Sequence, residues 1–169
     1  MLFSCGNPDA VVRDLASDDT LSGVMADSVV FFRSDSGVVQ LKLTAPRLVR
    51  LEKSEENGEM EFPLGFHAVF YDKHHHPASE ISADYGRNAG DMIEAVGNVV
   101  VVNYGNDERM ESDKLFWYQD TKMMYTRSKV RIVTPDKEIE GDSLVAKEDF
   151  SEYSIYNGRA ILDVEEEEL

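Results

Sequence analysis

The clearest indication of the fold class is in DMIEAVGNVVVVNYGNDERMESDKLFWYQDTKMMYTRSKVRIVTP, residues 91–135. β-Branched and aromatic residues dominate it, apolar positions recur with a period of two, and turn residues interrupt it at short intervals. These features are typical of β-strands joined by tight turns. Because the same texture starts at Val24, we predict an all-β domain of many short antiparallel strands: a jelly roll, a sandwich or a β-solenoid.

A repeat runs through this domain. The blocks SEISAD, ERMESD and KEIEGD end 29 residues apart, each on a small residue followed by Asp, at Ala83–Asp84, Ser112–Asp113 and Gly141–Asp142. A fixed period indicates stacked supersecondary units that share one core. We expect the small residues to allow close approach of backbones and the Asp side chains to form hydrogen bonds at turns or strand ends.

A hairpin is predicted before the repeat. Strand-like runs at Val29–Arg33 and Val38–Thr44 are separated by SDSG, a turn sequence, and the acidic loop EKSEENGE follows. By contrast, residues 7–23 are polar and have no sustained period. The predicted organisation is a tether over residues 1–23, a single β-domain over 24–165 and an acidic tail over 166–169.

Composition and charge exclude several classes of function. The chain has 169 residues and a net charge of −16, with 42% hydrophobic and 30% charged residues. These proportions are those of a globular protein. The acidic surplus argues against nucleic-acid binding and against docking on an anionic membrane through basic residues. No apolar run reaches the length of a transmembrane helix.

The chain has one cysteine, which lies near its start. Because a disulfide needs two cysteines, an intramolecular disulfide framework is excluded. Leu2, Phe3, Ser4 and Cys5 are similar to the end of a bacterial lipoprotein signal. Such signals have an aliphatic residue three positions before the cysteine and a small residue directly before it. Either Cys5 is a lipidation site, or a cysteine lies there by chance.

No cluster of residues predicts catalysis or metal binding. His74, His75 and His76 are consecutive, so their side chains diverge, and no Cys or second His pair completes a zinc site. We interpret YDKHHHPASE as a solvated hairpin turn. Neither a catalytic triad nor a phosphate-binding glycine loop is recognisable. We therefore predict a protein that is not an enzyme and that uses no metal or cofactor.

Several strands are apolar on both faces, which leaves two interpretations. Val99 and Val101 alternate with Val100 and Val102, and Phe31–Phe32 repeats the pattern. One interpretation is that one face packs in the core and the other lies under a neighbouring element. The second is that the sheet is lined on its inside for acyl chains.

Three segments together resemble one family. FHAVFYDKHHHPASEISADYGRNAGDMIEAVGNVVVV, ERMESDKLFWYQDTKMMYTRSKVRI and KEIEGDSL are similar to the periplasmic LptC family of lipopolysaccharide export, within the wider OstA-like group. The similarity runs from about Val29 to Val164, and GVVQLKLTAPRLVRL resembles the first long hairpin of the family. The resemblance implies a twisted, open β-jellyroll with an apolar groove and no catalytic activity.

The resemblance also implies a function and partners. Members receive lipopolysaccharide from an inner-membrane ABC transporter and pass it to the next periplasmic jellyroll protein, adding edge strand to edge strand. The usual member is anchored by an N-terminal transmembrane helix. A lipid on Cys5, or an N-terminal segment that is removed, is expected to take the place of that helix and to locate the protein in the periplasm at the inner membrane.

Alternation within this implied fold assigns two sets of residues. The residues expected to line the groove and contact the acyl chains of lipid A are Leu41, Leu43, Phe70, Ile81, Val99, Val101, Met110, Val130, Ile132, Ile139 and Leu162. The residues expected at partner edges are Val29 and Phe31 toward the transporter, and Ile155 and Ile161 toward the next bridge protein.

Three alternatives stay open at this point. The soluble bridge component of the same pathway shares the fold and the groove. A surface lipoprotein or adhesion module would use the same apolar strands only as a core. A carbohydrate-active enzyme would need two carboxylates that converge in a cleft, and no such pair can be located in the sequence.

Overall fold

A computed structural model describes residues 23–51 and 59–162. The predicted tether with Cys5, most of the acidic loop and the acidic tail lie outside these residues. Within them the chain forms strands paired in antiparallel registers and no helix, which confirms the all-β prediction. The strands are β1 (Gly23–Asp35), β2 (Val38–Leu51), β3 (Met60–Phe62), β4 (Phe66–Tyr71), β5 (Pro77–Ala83), β6 (Tyr85–Ala89), β7 (Met92–Asn103), β8 (Glu108–Tyr118), β9 (Met123–Thr126), β10 (Val130–Val133), β11 (Lys137–Gly141), β12 (Ser143–Lys147), β13 (Tyr153–Tyr156) and β14 (Arg159–Leu162).

Four strands are longer than the sequence led us to expect. β1, β2, β7 and β8 have 13, 14, 12 and 11 residues. These strands change partners along their length: β7 pairs with β6 through residues 92–96 and with β5 through the segment that ends at Asn103. β8 similarly pairs with β10 through its first half and with β9 through its second half. Each long strand therefore belongs to two layers.

The pairings define these two antiparallel layers, which we call the first and second layer. The first layer runs in the order β1, β2, β4, β5, β7, β8, β10, β11, β14, with each long strand contributing the half nearer its hairpin turn. The second layer runs in the order β1, β2, β3, β6, β7, β8, β9, β12, β13 through the other halves. One hydrophobic cluster fills the space between the layers, where the rings of Phe70 and Trp117 meet edge to face at 5.1 Å.

The chain changes layer along one edge of this sandwich, which we call the crossing edge. β5 leads into β6 through Asp84, the two halves of β8 meet at Asp113, and β11 leads into β12 through Asp142. Each 29-residue repeat is thus one hairpin in the second layer followed by one hairpin in the first layer, both packed on the shared core. β1 and β2 bend at the same edge, where the register skips Ser28 and Pro46.

Two of the repeated aspartates make the same hydrogen bonds. The amide of Asn98 donates to the carboxylate of Asp84 at 2.6 Å, and the amide of Asn157 donates to that of Asp142 at 3.1 Å. The backbone N–H of each Asp donates to the carbonyl of the residue before that Asn, at 3.0 and 3.1 Å. A Cβ on Gly141 would lie 2.2 Å from Ile155 Cγ2, so the small residue there is required. These contacts confirm the structural interpretation for Asp84 and Asp142, whereas the side chain of Asp113 makes no hydrogen bond among the described residues.

The opposite edge, which we call the seam, is built differently. The turns of the first layer there are residues 36–37, 72–76, 104–107 and 134–136, and those of the second layer are 90–91, 119–122 and 148–152. Within the described ranges every one of these turns returns the chain to the layer it came from. No backbone joins the two layers at the seam in that part of the chain.

The three histidines lie in the β4–β5 turn at the seam and are exposed, as predicted. The carboxylate of Asp72 accepts the backbone N–H groups of His74 and His76 at 2.8 and 2.9 Å, which holds the turn. Over residues 23–51 and 59–162, no three His, Cys, Asp or Glu side chains are grouped as metal ligands. The same residues include no helix of the length and apolarity needed to cross a bilayer.

Candidate functional site

A row of directly opposed apolar side chains crosses the inner face of the first layer. We call it the inner row, and each member is the register partner of the next: Phe31, Leu43, Ala68, Ile81, Val101, Met110, Ile132, Ile139 and Ala160. Neighbouring strands lie about 4.8 Å apart, so the row is roughly 38 Å long. It reaches from one end of the layer to the other without a polar side chain.

Exposure along the inner row is lowest in the middle. From Ala68 to Ile132 each member of the row has 0% exposure, and the space beside them is filled by the protein's own core. At one end Phe31 is 41% exposed although it faces inward opposite Leu43. At the other end Ile139 is half-buried and Ala160 is exposed. The apolar interior is therefore packed in its centre and accessible at both ends.

The structure places the predicted groove residues on this inner face. All of them except Ile139 and Leu162 are buried in the hydrophobic cluster. Leu41 and Phe70 oppose each other beside the inner row, and the side chain of Leu162 lies outside the described part. The prediction missed Ala68 and Ala160, because an alanine carries little hydrophobic signal in an alternating strand.

The ends of the layers are edge strands. Within the described residues β1 pairs with β2 alone, and its exposed apolar side chains are Val24, Met25, Val30, Phe31 and Phe32. At the other end β13 pairs with β12 and β14 with β11, so the C-terminal edge is divided between the two layers. Ile155 and Ile161, which the sequence analysis assigned to the same partner edge, therefore lie in different layers, because residues 157–158 cross between the layers.

The predicted partner-edge residues fall into two environments. Ile161 is 58% exposed on the outer face of β14, and Phe31 is exposed at the end of the inner row. Val29 and Ile155 are partly buried and pack against the core. Within the described residues each of their strands has one unpaired backbone edge, but these two side chains point toward the core.

A buried carboxylate joins the two layers at the seam. Glu148 is 7% exposed and follows β12 in the second layer. One of its oxygens accepts Nη2 of Arg33 at 2.5 Å, and the other accepts Nε1 of Trp117 at 3.1 Å. Arg33 lies on the edge strand β1, so this ion pair links the end of the first layer to the turn of the second. The Nε of Arg33 is buried without a hydrogen-bond partner.

The turn that carries Glu148, residues 148–152, lies against the first layer at two further points. Asn103 at the end of β7 donates to the carbonyl of Phe150 at 2.7 Å. Phe150 is fully buried and its ring stacks on that of Tyr153 at 5.0 Å. The hydroxyl of Tyr153 donates to Glu108 at 3.0 Å, and burial together with this bond raises the pKa of Tyr153 to about 12. We call residues 148–152, together with Tyr153 that directly follows them, the seam turn.

Neither Arg33 nor Glu148 was predicted as a site residue. Arg33 is in phase with Val29 and Phe31 on β1, so alternation alone would have placed it inside. The sequence analysis included Arg33 in the strand-like run Val29–Arg33 and gave it no role. Its partner lies 115 positions away, and no local pattern connects the two.

The outer face of the first layer has the opposite character to the inner row. Arg131 forms ion pairs with Glu138 at 2.5 Å and with Glu111 at 3.4 Å, and Arg109 pairs with Glu111 at 2.7 Å. The pKa of Glu111 is lowered, chiefly by its hydrogen bond from Arg109. The outer face over β8, β10 and β11 is therefore charged where the inner face of the same strands is apolar.

Comparison with known families agrees with this geometry. A family model described as "Lipopolysaccharide-assembly, LptC-related" matches residues 9–158, which include the inner row up to Ile139, the ion pair and the seam turn. No curated protein sequence matches the chain. A match over this much of the chain establishes membership, so the protein belongs to the LptC-related family of lipopolysaccharide-assembly proteins.

Proposed function

We propose that this protein is a non-enzymatic carrier that holds the acyl chains of lipopolysaccharide against the inner row. The observation that carries the proposal is the inner row itself, which is continuous, apolar and accessible at both ends. Each methylene of an acyl chain exposed to water costs about 0.8 kcal/mol, so a lipid with several chains needs a covered path. A row of roughly 38 Å is long enough to cover such chains along their length.

Loading requires the two layers to move apart at the seam. The middle of the inner row is filled by the opposite layer, so an acyl chain must replace contacts that the protein makes with itself. Since apolar contacts are exchanged for apolar contacts, the net change in free energy is small. The carrier therefore holds lipid without trapping it, and net direction comes from the transporter that supplies the lipid.

The partners in this proposal meet the two ends of the layers. Among the described residues, β1 at one end has an unpaired edge with exposed apolar side chains, and β14 at the other end has an unpaired edge beside Ile161. Unpaired strands accept a strand from another protein. We assign β1 to the inner-membrane lipopolysaccharide transporter and β14 to the next periplasmic jellyroll protein, so that the inner rows of neighbouring proteins are aligned.

Anchoring belongs to the part of the chain before β1. In this proposal the protein is in the periplasm at the inner membrane, held either by lipid on Cys5 or by an N-terminal membrane segment. Stable anchoring by lipid requires more than one acyl chain. Mass spectrometry of the N-terminal peptide from a lipoprotein-processing host distinguishes the two routes.

Photo-crosslinking at two neighbouring positions tests the carrier proposal. Phe31 and Phe32 are consecutive and both exposed, at 41% and 62%, but Phe31 opposes Leu43 on the inner face and Phe32 opposes Lys42 on the outer face. Each is replaced by p-benzoylphenylalanine in a host that makes lipopolysaccharide. We expect an adduct that reacts with antibody to lipopolysaccharide at position 31 and little or none at position 32.

Adducts of equal strength at both positions would indicate loose surface contact and would contradict the proposal. The absence of lipid adducts at position 31, and also at Ile139 at the other end of the row, would leave the packed interior as a core alone. The protein would then be an assembly module without cargo.

A further inference from the structure

The ion pair between Arg33 and Glu148 occupies the place where the seam meets the end of the inner row. Arg33 opposes Leu41 on the inner face of the first layer, two residues after Phe31. Leu41 in turn opposes Phe70, whose ring contacts Trp117 of the second layer. The pair therefore lies directly over the first apolar contact between the layers.

We infer that acyl chains reach the inner row through this part of the seam, and that the Arg33–Glu148 ion pair is the latch that closes it. The inference rests on the proposed carrier function and adds the point of entrance. A cleft of about 420 Å³ already reaches the pair from outside, and its walls include Phe70 and Met123. Separation of Arg33 from Glu148 extends this cleft onto apolar surface.

The local pairing of strands allows movement on this side of the seam. Within the described residues β1 is hydrogen-bonded on one side only, so its displacement breaks no second ladder. The other contacts of the seam turn are with Asn103 and Glu108, on β7 and β8, which have neighbours on both sides. The seam turn is therefore fixed to the middle of the first layer, and the mobile partner is the end of β1.

The chemistry of the pair favours two distinct states. A buried carboxylate without a partner is strongly unfavourable, whereas a satisfied buried ion pair adds little net stability because both charges lose their hydration. Arg33 Nε makes no hydrogen bond, and the side chain of Arg33 is 29% exposed, so the closed state is incompletely satisfied. The open state returns both charges to water. The latch is thus closed or fully open, with half-open states disfavoured.

A covalent link across the latch tests the inference. Arg33→Cys and Glu148→Cys are combined in a Cys5→Ser background and joined with a short bismaleimide. The matched control links Asp27→Cys and Arg47→Cys, which replace an exposed ion pair of 2.8 Å between the neighbouring strands β1 and β2. Both samples are also prepared with N-ethylmaleimide, which modifies the thiols without linking them. Unfolding in urea verifies that each sample is folded.

Loading is measured as the initial rate at which radiolabelled lipopolysaccharide passes from micelles to the protein. We expect the link across the latch to slow loading by at least about tenfold relative to its unlinked form, because closure blocks the route. The link between Asp27→Cys and Arg47→Cys should change the rate by less than about twofold, since it spans no opening. The single tryptophan, Trp117, gives an independent signal: its fluorescence should shift on loading in every sample except the one linked across the latch.

The neutral double variant Arg33→Gln/Glu148→Gln gives the opposite change. Glu148→Gln keeps the side-chain size and Arg33→Gln shortens the side chain, and together they remove the ion pair, so we expect loading about threefold faster or more. If the latch-linked protein loads as fast as its unlinked form, the entrance lies elsewhere and the inference is wrong, while the carrier function stands. If none of the samples loads lipopolysaccharide, including the unmodified protein, the proposed function itself fails.

Discussion

The two edges of the sandwich hold the layers together by different means. At the crossing edge the backbone itself passes from layer to layer, and the Asp84–Asn98 and Asp142–Asn157 hydrogen bonds fix two of the crossings. At the seam only side chains span the gap within the described residues, through Glu148 and the contacts of the seam turn. One edge is covalently continuous, and the other is held by contacts that can exchange.

Because of this difference, a sandwich with a packed core can still open along one of its edges. Opening along the crossing edge would require the backbone ladders of long strands to break, which involves many hydrogen bonds at once. Opening along the seam requires a few side-chain contacts to separate. The crossing edge is therefore the hinge of the molecule and the seam is the side that opens.

A glycine substitution at the crossing edge has the largest expected effect. Gly65, in the crossing from β3 to β4, has φ +81°, and a Cβ there would lie 2.4 Å from the carbonyl oxygen of Ala83. Gly37, in the β1–β2 turn at the seam, has nearly the same φ of +82° and nothing within 4 Å of its Cβ position. Gly65→Ala should lower the free energy of unfolding by about 3 kcal/mol, through strain and overlap with backbone.

Gly37→Ala is the matched control for this substitution. The left-handed backbone alone costs about 1 kcal/mol, so the difference of about 2 kcal/mol between the variants measures the close contact. Urea unfolding monitored by Trp117 fluorescence gives both values. Equal losses in the two variants would show that the backbone at the crossing edge can yield, and the hinge assignment would be wrong.

The crossing edge could be predicted from the sequence because each crossing solves the same local problem. Where the chain passes from one layer to the other, it needs a small residue so that the backbones can approach closely, and a polar side chain to bond the free backbone groups. These requirements recur in each 29-residue repeat. The blocks ending at Asp84, Asp113 and Asp142 record them. The inner row was predictable for a similar reason, since alternation follows directly from strand geometry.

The seam could not be predicted in the same way. Arg33 and Glu148 meet once in the molecule, from strands far apart in the chain, and neither residue is part of a repeat. Their contact depends on how far one layer is displaced over the other, which is a property of the whole sandwich. The division of long strands between layers was missed as well, because a bend at Gly97–Asn98 looks in sequence like a turn between two strands.

The aspartates of the crossing edge are expected to have a smaller effect than the glycine. Asp84→Ala and Asp142→Ala each remove a hydrogen bond from an Asn side chain at an exposed site, so each should lower the free energy of unfolding by about 1 kcal/mol or less. Asp113 has no side-chain hydrogen bond among the described residues, and Asp113→Ala should change stability by less than about 0.5 kcal/mol.

Asp113→Ala also controls for charge. Each of the three substitutions removes one negative charge from a chain with a net charge of −16, which reduces self-repulsion equally in all of them. Thermal unfolding at moderate salt provides the comparison. If Asp113→Ala matches the other two, the aspartates act through turn preference, and the Asp–Asn contacts do not fix the crossings.

The seam is expected to show a pH dependence of stability that the crossing edge does not provide. The pKa of Tyr153 is raised to about 12 by burial and by the hydrogen bond to Glu108, whereas in the unfolded chain it lies near 10. Tyr104 provides the control, because its pKa is also raised to about 12, mainly by a hydrogen bond to Glu80, but it is 49% exposed on the outside.

A raised pKa on a phenol means that the neutral form is favoured by folding. The stabilisation from Tyr153 is therefore fully present below pH 10 and is lost as the pH rises from about 10 through about 12. Tyr153→Phe should cost about 1 kcal/mol at pH 7, and the gap to the wild type should close over that window. Tyr104→Phe should show a weaker change of the same sign, because solvent screens the outer pair. Urea unfolding at a series of pH values measures both gaps. A gap for Tyr153→Phe that stays constant to pH 12 would mean that the hydroxyl does not bind Glu108 in the folded protein. The seam turn would then be held to the first layer without this hydrogen bond, through Asn103 and the Arg33–Glu148 ion pair alone.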